Sequence, residues 1–347
     1  MEKVRLGRSG LMVTRVGFGA IPIQRLSDTD AVEVIRQCLD MGINFIDTAN
    51  GYTTSEERIG KAITGRKRKG LILATKSLDR TGEGVSKHLQ LSLKRLSTDY
   101  IDLYQLHNVS DASSVKAIFA ADGPLAVVEK AKKSGLVRHI GVSCHAIDIA
   151  KELIKSDKFE TIMFPFNFMT PEPGEELLPL TRERDMGFIA MKPLAGGVLE
   201  NVTLAFKYLF KFPDVVAIPG IEKAAEMAQI LGILAGDRKL TRADKSEMKR
   251  LRAELGTRFC RRCDYCQPCT EGIQISFVMQ MPNLLKRLPP ETLFAGRMTG
   301  ELEKAASCSQ CGECEKRCPF NLPIPDMIGE FNTLFRTEKR KWEESRG

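Results

Sequence analysis

A chain of 347 residues, 43% of them apolar, is long enough for one large barrel with an appendage or for two domains, each with a real core. A formal charge of +8 invites an anionic partner, yet Lys and Arg are scattered, and only 7% of residues are aromatic, which argues against nucleic acid. No apolar run approaches the roughly 20 residues that span a bilayer, and the opening MEKVRLGRSGLMV lacks the apolar stretch of a signal peptide, so a cytoplasmic protein without membrane attachment is expected.

From Val16 onward, short apolar runs alternate with segments of helical period, eight times over. The strand candidates are Val16–Gly19, Asn44–Asp47, Leu71–Thr75, Ile101–Leu106, His139–Ser143, Thr161–Phe166, Gly187–Met191 and Val215–Pro219. Val32, Ile35 and Leu39 mark the apolar stripe of the first helix; Val85, Leu89, Leu93 and Leu96 mark that of the third. The basic run Arg66–Lys69 falls at a helix end, where cations suit the dipole. Strands separated by helices imply parallel pairing, and eight such units predict an α/β fold of the closed (β/α)8 TIM-barrel type. A doubly wound sheet would want a G-x-G-x-x-G turn after a strand, and none is present.

Active sites in such barrels sit at the C-terminal ends of the strands, so the ionisable residues there are the candidates. In GINFIDTANGY (42–52), Asp47 closes the second strand and Tyr52 follows in a loop of small and polar residues; Lys76 ends the third strand and His107 the fourth. Singly, Lys76 reads as a rim salt bridge and His107 as a satisfied core histidine. Together the four groups make sense as chemistry. A phenol near pKa 10 is a poor acid at neutral pH unless a cation stabilises its phenolate. Lys76 supplies that cation, Asp47 holds it charged, and His107 orients a substrate oxygen.

At this point the chain resembles the aldo-keto reductases, over about residues 3–235. VRLGRSGLMVTRVGFGA, SLKRLSTDYIDLYQLH, GLVRHIGVS and AIPG carry the likeness along with the tetrad. The resemblance implies NAD(P)H-dependent reduction of a carbonyl, or oxidation of an alcohol, with Tyr52 as general acid/base. It also implies a coenzyme pocket at Ser143, Cys144, Asn167, Met191, Gly220 and Lys223. Here the chain departs from the family: Cys144 stands where Asn is usual, Met163 where Gln is usual, and Met191 replaces the aromatic residue that stacks on the nicotinamide. Gly220-Ile221 replaces a Lys-Ser pair, and Glu226 lies about where an Arg is common. A carboxylate there repels a 2′-phosphate, which leans the reading toward NADH over NADPH.

Eight of ten cysteines crowd into two short runs, marking a second domain at 260–347 after a charged helical connector at 236–259. Cys260, Cys263, Cys266 and Cys269 are each two residues apart. Cys308, Cys311, Cys314 and Cys318 follow C-x2-C-x2-C-x3-C and are closed by Pro319, the bacterial ferredoxin signature for iron-sulfur ligation. Zinc is the weaker reading, because its sites more often separate two C-x2-C pairs by a longer loop. The resemblance thereby sharpens to aldo-keto reductases carrying a C-terminal ferredoxin-type domain. By ferredoxin analogy, two 4Fe-4S clusters are implied, Cys318 joining the first three thiols and Cys269 joining Cys308, Cys311 and Cys314. The 38 residues between the runs, with a helical stretch from Ile275 to Arg287, favour a helical version of that domain. Cys38 reads as core packing of the first helix.

A chemical difficulty follows: nicotinamide moves two electrons as hydride, whereas each cube passes one, and a flavin is the usual converter. No flavin motif is evident, so either the clusters are structural or a flavin or partner completes the circuit. The alternative reading is an electron-transfer protein whose barrel binds a flavin or redox partner. Its rim of Arg258, Arg261, Arg262, Lys316 and Arg317 would then dock a ferredoxin or flavodoxin, unless those cations merely offset anionic clusters. The identity of the small-molecule carbonyl or alcohol is not written in the loops.

Overall fold

The computed structural model describes residues 1–66, 68–296 and 298–346. Lys67 of the basic run lies outside the described residues. The chain divides into two compact units, Met1–Leu240 and Thr241–Gly347, and the helix of the expected connector, Arg242–Leu255, falls in the second.

The first unit begins with an antiparallel hairpin of β1 (Lys3–Arg5) and β2 (Met12–Thr14). Eight parallel strands follow: β3 (Phe18–Gly19), β4 (Phe45–Asp47), β5 (Ile72–Ser77), β6 (Ile101–Leu106), β7 (Val137–Ser143), β8 (Thr161–Pro165), β9 (Gly187–Met191) and β10 (Val215–Ile218), each paired with its neighbour in sequence. Bridges Val16↔Ala217 and Gly19↔Gly220 bring the last strand back to the first and close the barrel. Closure requires glycine at 19, since a Cβ there would lie 2.4 Å from the Pro219 carbonyl oxygen. The hairpin contributes Val4, Leu6 and Val13 to a core shared with inward residues Phe45, Leu103 and Ile189. It went unpredicted because each strand is three residues long, too short for a period.

The strands are buried on both faces, which is why they read as continuous apolar runs. The first helix, Asp28–Asp40, is capped by the Ser27 side chain, and it buries Ala31, Ile35 and Cys38. The expected stripe Val32–Ile35–Leu39 is therefore shifted by one position at either end, Ala31 and Cys38 being buried while Val32 and Leu39 beside them are half-buried. Cys38 is core, and burial pushes its thiol up to about 12.

Near the N-terminal ends of the strands, Glu160 accepts from His139 Nδ1 and Lys132 Nζ, both at 2.5 Å, and from the Ile140 N–H at 3.1 Å. Burial alone would raise this carboxyl, but the three donors overcome burial and bring it down to about 2. A depressed carboxyl stabilises the fold above its unfolded pKa near 4.5 and loses that contribution as pH falls toward 2. About 2 kcal/mol of stability should be gone by pH 3 from this group. Urea unfolding of Glu160→Gln should show a correspondingly shallower drop between pH 6 and pH 3 than the parent; identical slopes would assign the acid sensitivity elsewhere.

In the second unit, Ile273, Ile275, Val278, Ile324, Met327 and Ile328 pack around the cysteine runs, and the 21-residue helix Ile324–Glu344 closes the chain. The expected helix from Ile275 to Arg287 is two pieces, Ile275–Val278 and Met281–Leu285. Pro282 explains the break: it has no N–H for a continuous ladder and is tolerated in the first turn of the second piece. Among the described residues no helix is long and apolar enough to cross a membrane.

Candidate functional site

β4, β5 and β6 lie side by side, so Asp47, Lys76 and His107 are brought together by register alone. Lys76, 1% exposed, donates to Asp47 Oδ1 at 2.5 Å and to the Thr48 carbonyl at 2.6 Å. Burial works to strip its proton, but the charges of Asp47, Tyr52 and Glu56 outweigh burial and its pKa is raised, so it remains an ammonium. The loop from Ala49 to Ser55 is held by Tyr52 N–H to Ala49 O at 3.0 Å and Ser55 N–H to Tyr52 O at 2.7 Å. That turn sets the half-buried Tyr52 ring with its centroid 5.2 Å from Lys76 Nζ. The His107 ring meets the Tyr52 ring edge-on, with centroids 5.9 Å apart. A phenol, a buried cation and an imidazole thus share one mouth of the barrel.

Two supporting residues escaped the sequence reading. Gln105 Nε2 donates to Asp47 Oδ2 at 3.0 Å and fixes the carboxylate that Lys76 needs. Its position near the end of β6, two residues before His107 in the sequence, was a usable signal. Arg80 donates to the carbonyls of His107 at 2.9 Å and Asn108 at 2.8 Å, clamping the loop after β6. Nothing in the sequence distinguishes it from other loop cations.

The expected coenzyme residues have mixed placements. Ser143, at the end of β7, accepts the Asn108 N–H on its hydroxyl oxygen at 2.8 Å. Cys144 is fully buried, its S–H donating to Ala146 O at 3.1 Å, and burial pushes the thiol up to about 11; it serves its own loop. Asn167 is also spent locally, accepting from the N–H groups of Met169 and Thr170 and donating to Lys192 O at 2.9 Å, which ties the loops after β8 and β9 together. Met191 is half-buried at the end of β9. Gly220 and Lys223 are exposed where β10 leads into the helix Ala224–Ala235. That helix start is the usual place for a phosphate in such barrels. Here Glu226 reaches back instead, its Oε2 accepting from the N–H of Glu222 at 2.8 Å and of Lys223 at 3.1 Å. The two donors that would meet a phosphate already hold a carboxylate.

In the second unit, the thiols sort across the two runs. Cys260, Cys263, Cys266 and Cys318 line one cavity, and Cys269, Cys308, Cys311 and Cys314 line another. Each set includes one thiol from the other run. Among the described residues no three metal-binding side chains converge tightly enough for a single ion; four thiols around a hollow suit a larger, soft-ligand group such as an iron-sulfur cube. The basic rim is largely engaged: Arg258 pairs with Glu330, Arg261 stacks 3.8 Å from the Phe320 ring centroid, Lys316 pairs with Glu313 at 2.7 Å, and Arg317 donates to Pro268 O at 2.8 Å.

Comparison with known proteins agrees with both units. Residues 15–204 match the aldo/keto reductase family and residues 259–323 the 4Fe-4S dicluster domain. The oxidoreductase YqkF of Bacillus subtilis is 33% identical over 218 residues, covering 59% of this chain and 68% of that protein. L-galactose dehydrogenase of Arabidopsis thaliana is 31% identical over 217 residues, covering 57% and 67%. Among solved structures, the holo form of an aldo-keto reductase from Bacillus halodurans superposes with a TM-score of 0.63 at 26% identity, over 72% of this chain and 96% of that one. An aldo/keto reductase from Brucella melitensis superposes with a TM-score of 0.58 at 26% identity, over 72% and 99%. The chain is an oxidoreductase that belongs to the aldo/keto reductase family and carries, later in its sequence, a 4Fe-4S dicluster domain.

Proposed function

We propose that the barrel reduces a small carbonyl compound, or oxidises the matching alcohol, with Tyr52 as general acid/base, and that the C-terminal unit holds two 4Fe-4S clusters. The observation that carries the first part is the buried Lys76, fixed by Asp47 and Thr48 O beside the Tyr52 ring. In reduction, Tyr52 gives its phenolic proton to the carbonyl oxygen and the Lys76 ammonium stabilises the phenolate left behind. His107, edge-on to that ring, orients the oxygen. Ser143 and Met191, at the ends of their strands, would help to hold a nicotinamide coenzyme, which when bound would supply the hydride. The cavities that pair Cys318 with the first run and Cys269 with the second support the crossed ligand sets. Single-electron clusters do not substitute for a hydride donor, so this reading keeps them outside the carbonyl chemistry, as supports or modulators of the enzyme.

The Glu226 cap favours a coenzyme without a 2′-phosphate. Placing a dianionic phosphate on donors already held by a carboxylate costs both hydrogen bonds and repulsion. The test is titration of the purified protein with NADH and with NADPH, alongside anaerobic turnover of a carbonyl panel. NADH should bind at least about tenfold more tightly, equivalent to roughly 1.4 kcal/mol, and Glu226→Arg should narrow or reverse the ratio. Equal affinities in the parent would refute the coenzyme choice, and absence of turnover with every carbonyl and both coenzymes would refute the reductase reading.

A further inference from the structure

We propose that Arg95, outside the barrel at the end of a surrounding helix, is a positioning residue for the reaction: with Asn50 and Glu56 it clasps the turn that carries Tyr52 and so sets the phenol against Lys76. The inference rests on the reductase reading above and deepens it. A general acid works only within a hydrogen bond of the oxygen it protonates, and a displacement of about 1 Å can cost roughly 10²-fold in rate.

The turn has to be held in place. Thr53, next to Tyr52, has φ 27°, a region costly for a β-branched residue and kept only where the surroundings enforce it. On one side of the turn, Thr53 Oγ1 donates to Gln24 Oε1 at 2.8 Å, and the Thr48 and Ser55 hydroxyls meet at 2.9 Å. On the other lies one stripe of the helix Gly82–Arg95, formed by His88, Ser92 and Arg95 at spacings of four and three. The Asn50 side-chain amide donates to His88 O at 3.3 Å and to Ser92 Oγ at 3.2 Å. Arg95 Nη1 donates to Asn50 O at 3.3 Å and lies 3.7 Å from Glu56 Oε2, while Nε is 3.4 Å from Glu57 Oε1.

The guanidinium therefore spans the turn, since Asn50 precedes Tyr52 by two residues and Glu56 follows it by four. Both flanks are tied to the strand that bears the cation. The Asn50 N–H donates to Lys76 O at 2.9 Å, and the buried Glu56 accepts on Oε1 from Thr75 Oγ1 at 2.6 Å. Thr75 and Lys76 are neighbours in β5 and point to opposite faces, so one strand carries both the ammonium beside Tyr52 and an anchor of its turn. Gly60 lets the helix Ser55–Ile63 close on Arg95, because a Cβ there would overlap the Arg95 carbonyl oxygen. Loss of the guanidinium releases both flanks of the turn at once.

The experiment is single-turnover carbonyl reduction by the full-length, cluster-loaded protein as parent, Arg95→Leu, Tyr52→Phe and the double variant. Arg95→Leu should slow the chemical step by about 10- to 100-fold and leave the coenzyme Kd unchanged. In the Tyr52→Phe background the same substitution should cost less than about twofold, because the group it positions is gone. A phenol set further from Lys76 keeps its proton to higher pH, so the alkaline limb of the Arg95→Leu rate profile should move upward. Asn50→Ala leaves the Arg95–Glu56 pair in place and should give the same pattern with a smaller loss, so it carries the cycle if Arg95→Leu does not fold. Losses that multiply in full in the double variant, or an alkaline limb that stays where it is in the parent, would overturn the inference and leave the reductase reading intact. A Tyr52→Phe variant as fast as the parent would end the assignment of Tyr52, and this inference with it.

Discussion

Replacing Tyr52 with Phe is expected to slow carbonyl reduction by roughly 10² to 10⁴, the usual worth of a positioned general acid, or about 3–5 kcal/mol of transition-state stabilisation. The substitution removes one oxygen and keeps the ring, so the edge-on contact with His107 and the approach of Lys76 to the ring both persist. The Lys76–Asp47 pair beneath does not depend on the phenol, being closed by Thr48 O and Gln105. Substrate affinity should therefore change far less than turnover, and kcat should fall while the coenzyme Kd stays. The measurement is steady-state kinetics with a substrate from the carbonyl panel, supported by coenzyme titration of the variant. A variant that kept the parent's kcat would move the proton-donating role to another group, with His107 next in line by position.

Much of this site was legible because parallel strands of a barrel bring their C-terminal ends together whatever their spacing in sequence. Asp47, Lys76 and His107 each end an apolar run, and three neighbouring runs suffice to predict convergence. Tyr52 lies on a loop, where periodicity says nothing; its place at the mouth follows from its nearness in the chain to Asp47 at the end of the second strand. The coenzyme pocket was harder. Cys144 and Asn167 occupy suggestive positions, but their side chains are consumed by Ala146 O and by the Met169, Thr170 and Lys192 backbone, a choice made by loop geometry. Glu226 is instructive for the opposite reason. Its charge was visible in the sequence, but that it caps the helix start rather than projecting into solvent depends on the turn Gly220–Lys223. In the second unit the cysteine spacing announced the ligands, whereas the place of Ile275 in the lining of both cavities emerges only when runs 38 residues apart are folded together.

Lys76→Met is expected to destabilise the barrel by about 3–5 kcal/mol, because it leaves the Asp47 carboxylate buried with its counter-charge gone. Asp47 is 3% exposed, and with Lys76 gone its other carboxylate oxygen keeps the Gln105 amide at 3.0 Å. Water cannot take over without opening the mouth, so the uncompensated charge is the dominant cost. The paired replacement Asp47→Leu/Lys76→Met should recover most of that loss, since apolar side chains of similar volume often match a buried ion pair in stability. It strands the Gln105 donor and the Thr48 carbonyl, so recovery should stop about 1–3 kcal/mol short of the parent. The chain's one tryptophan, Trp342, lies in the second unit and would report on that unit, so barrel unfolding is to be followed by far-UV circular dichroism in urea. If the single variant were as stable as the parent, Lys76 would not be the charged partner of Asp47. If the double variant regains stability without carbonyl turnover, the ion pair is retained for its charge beside Tyr52, and the barrel bears its desolvation cost for the sake of the reaction.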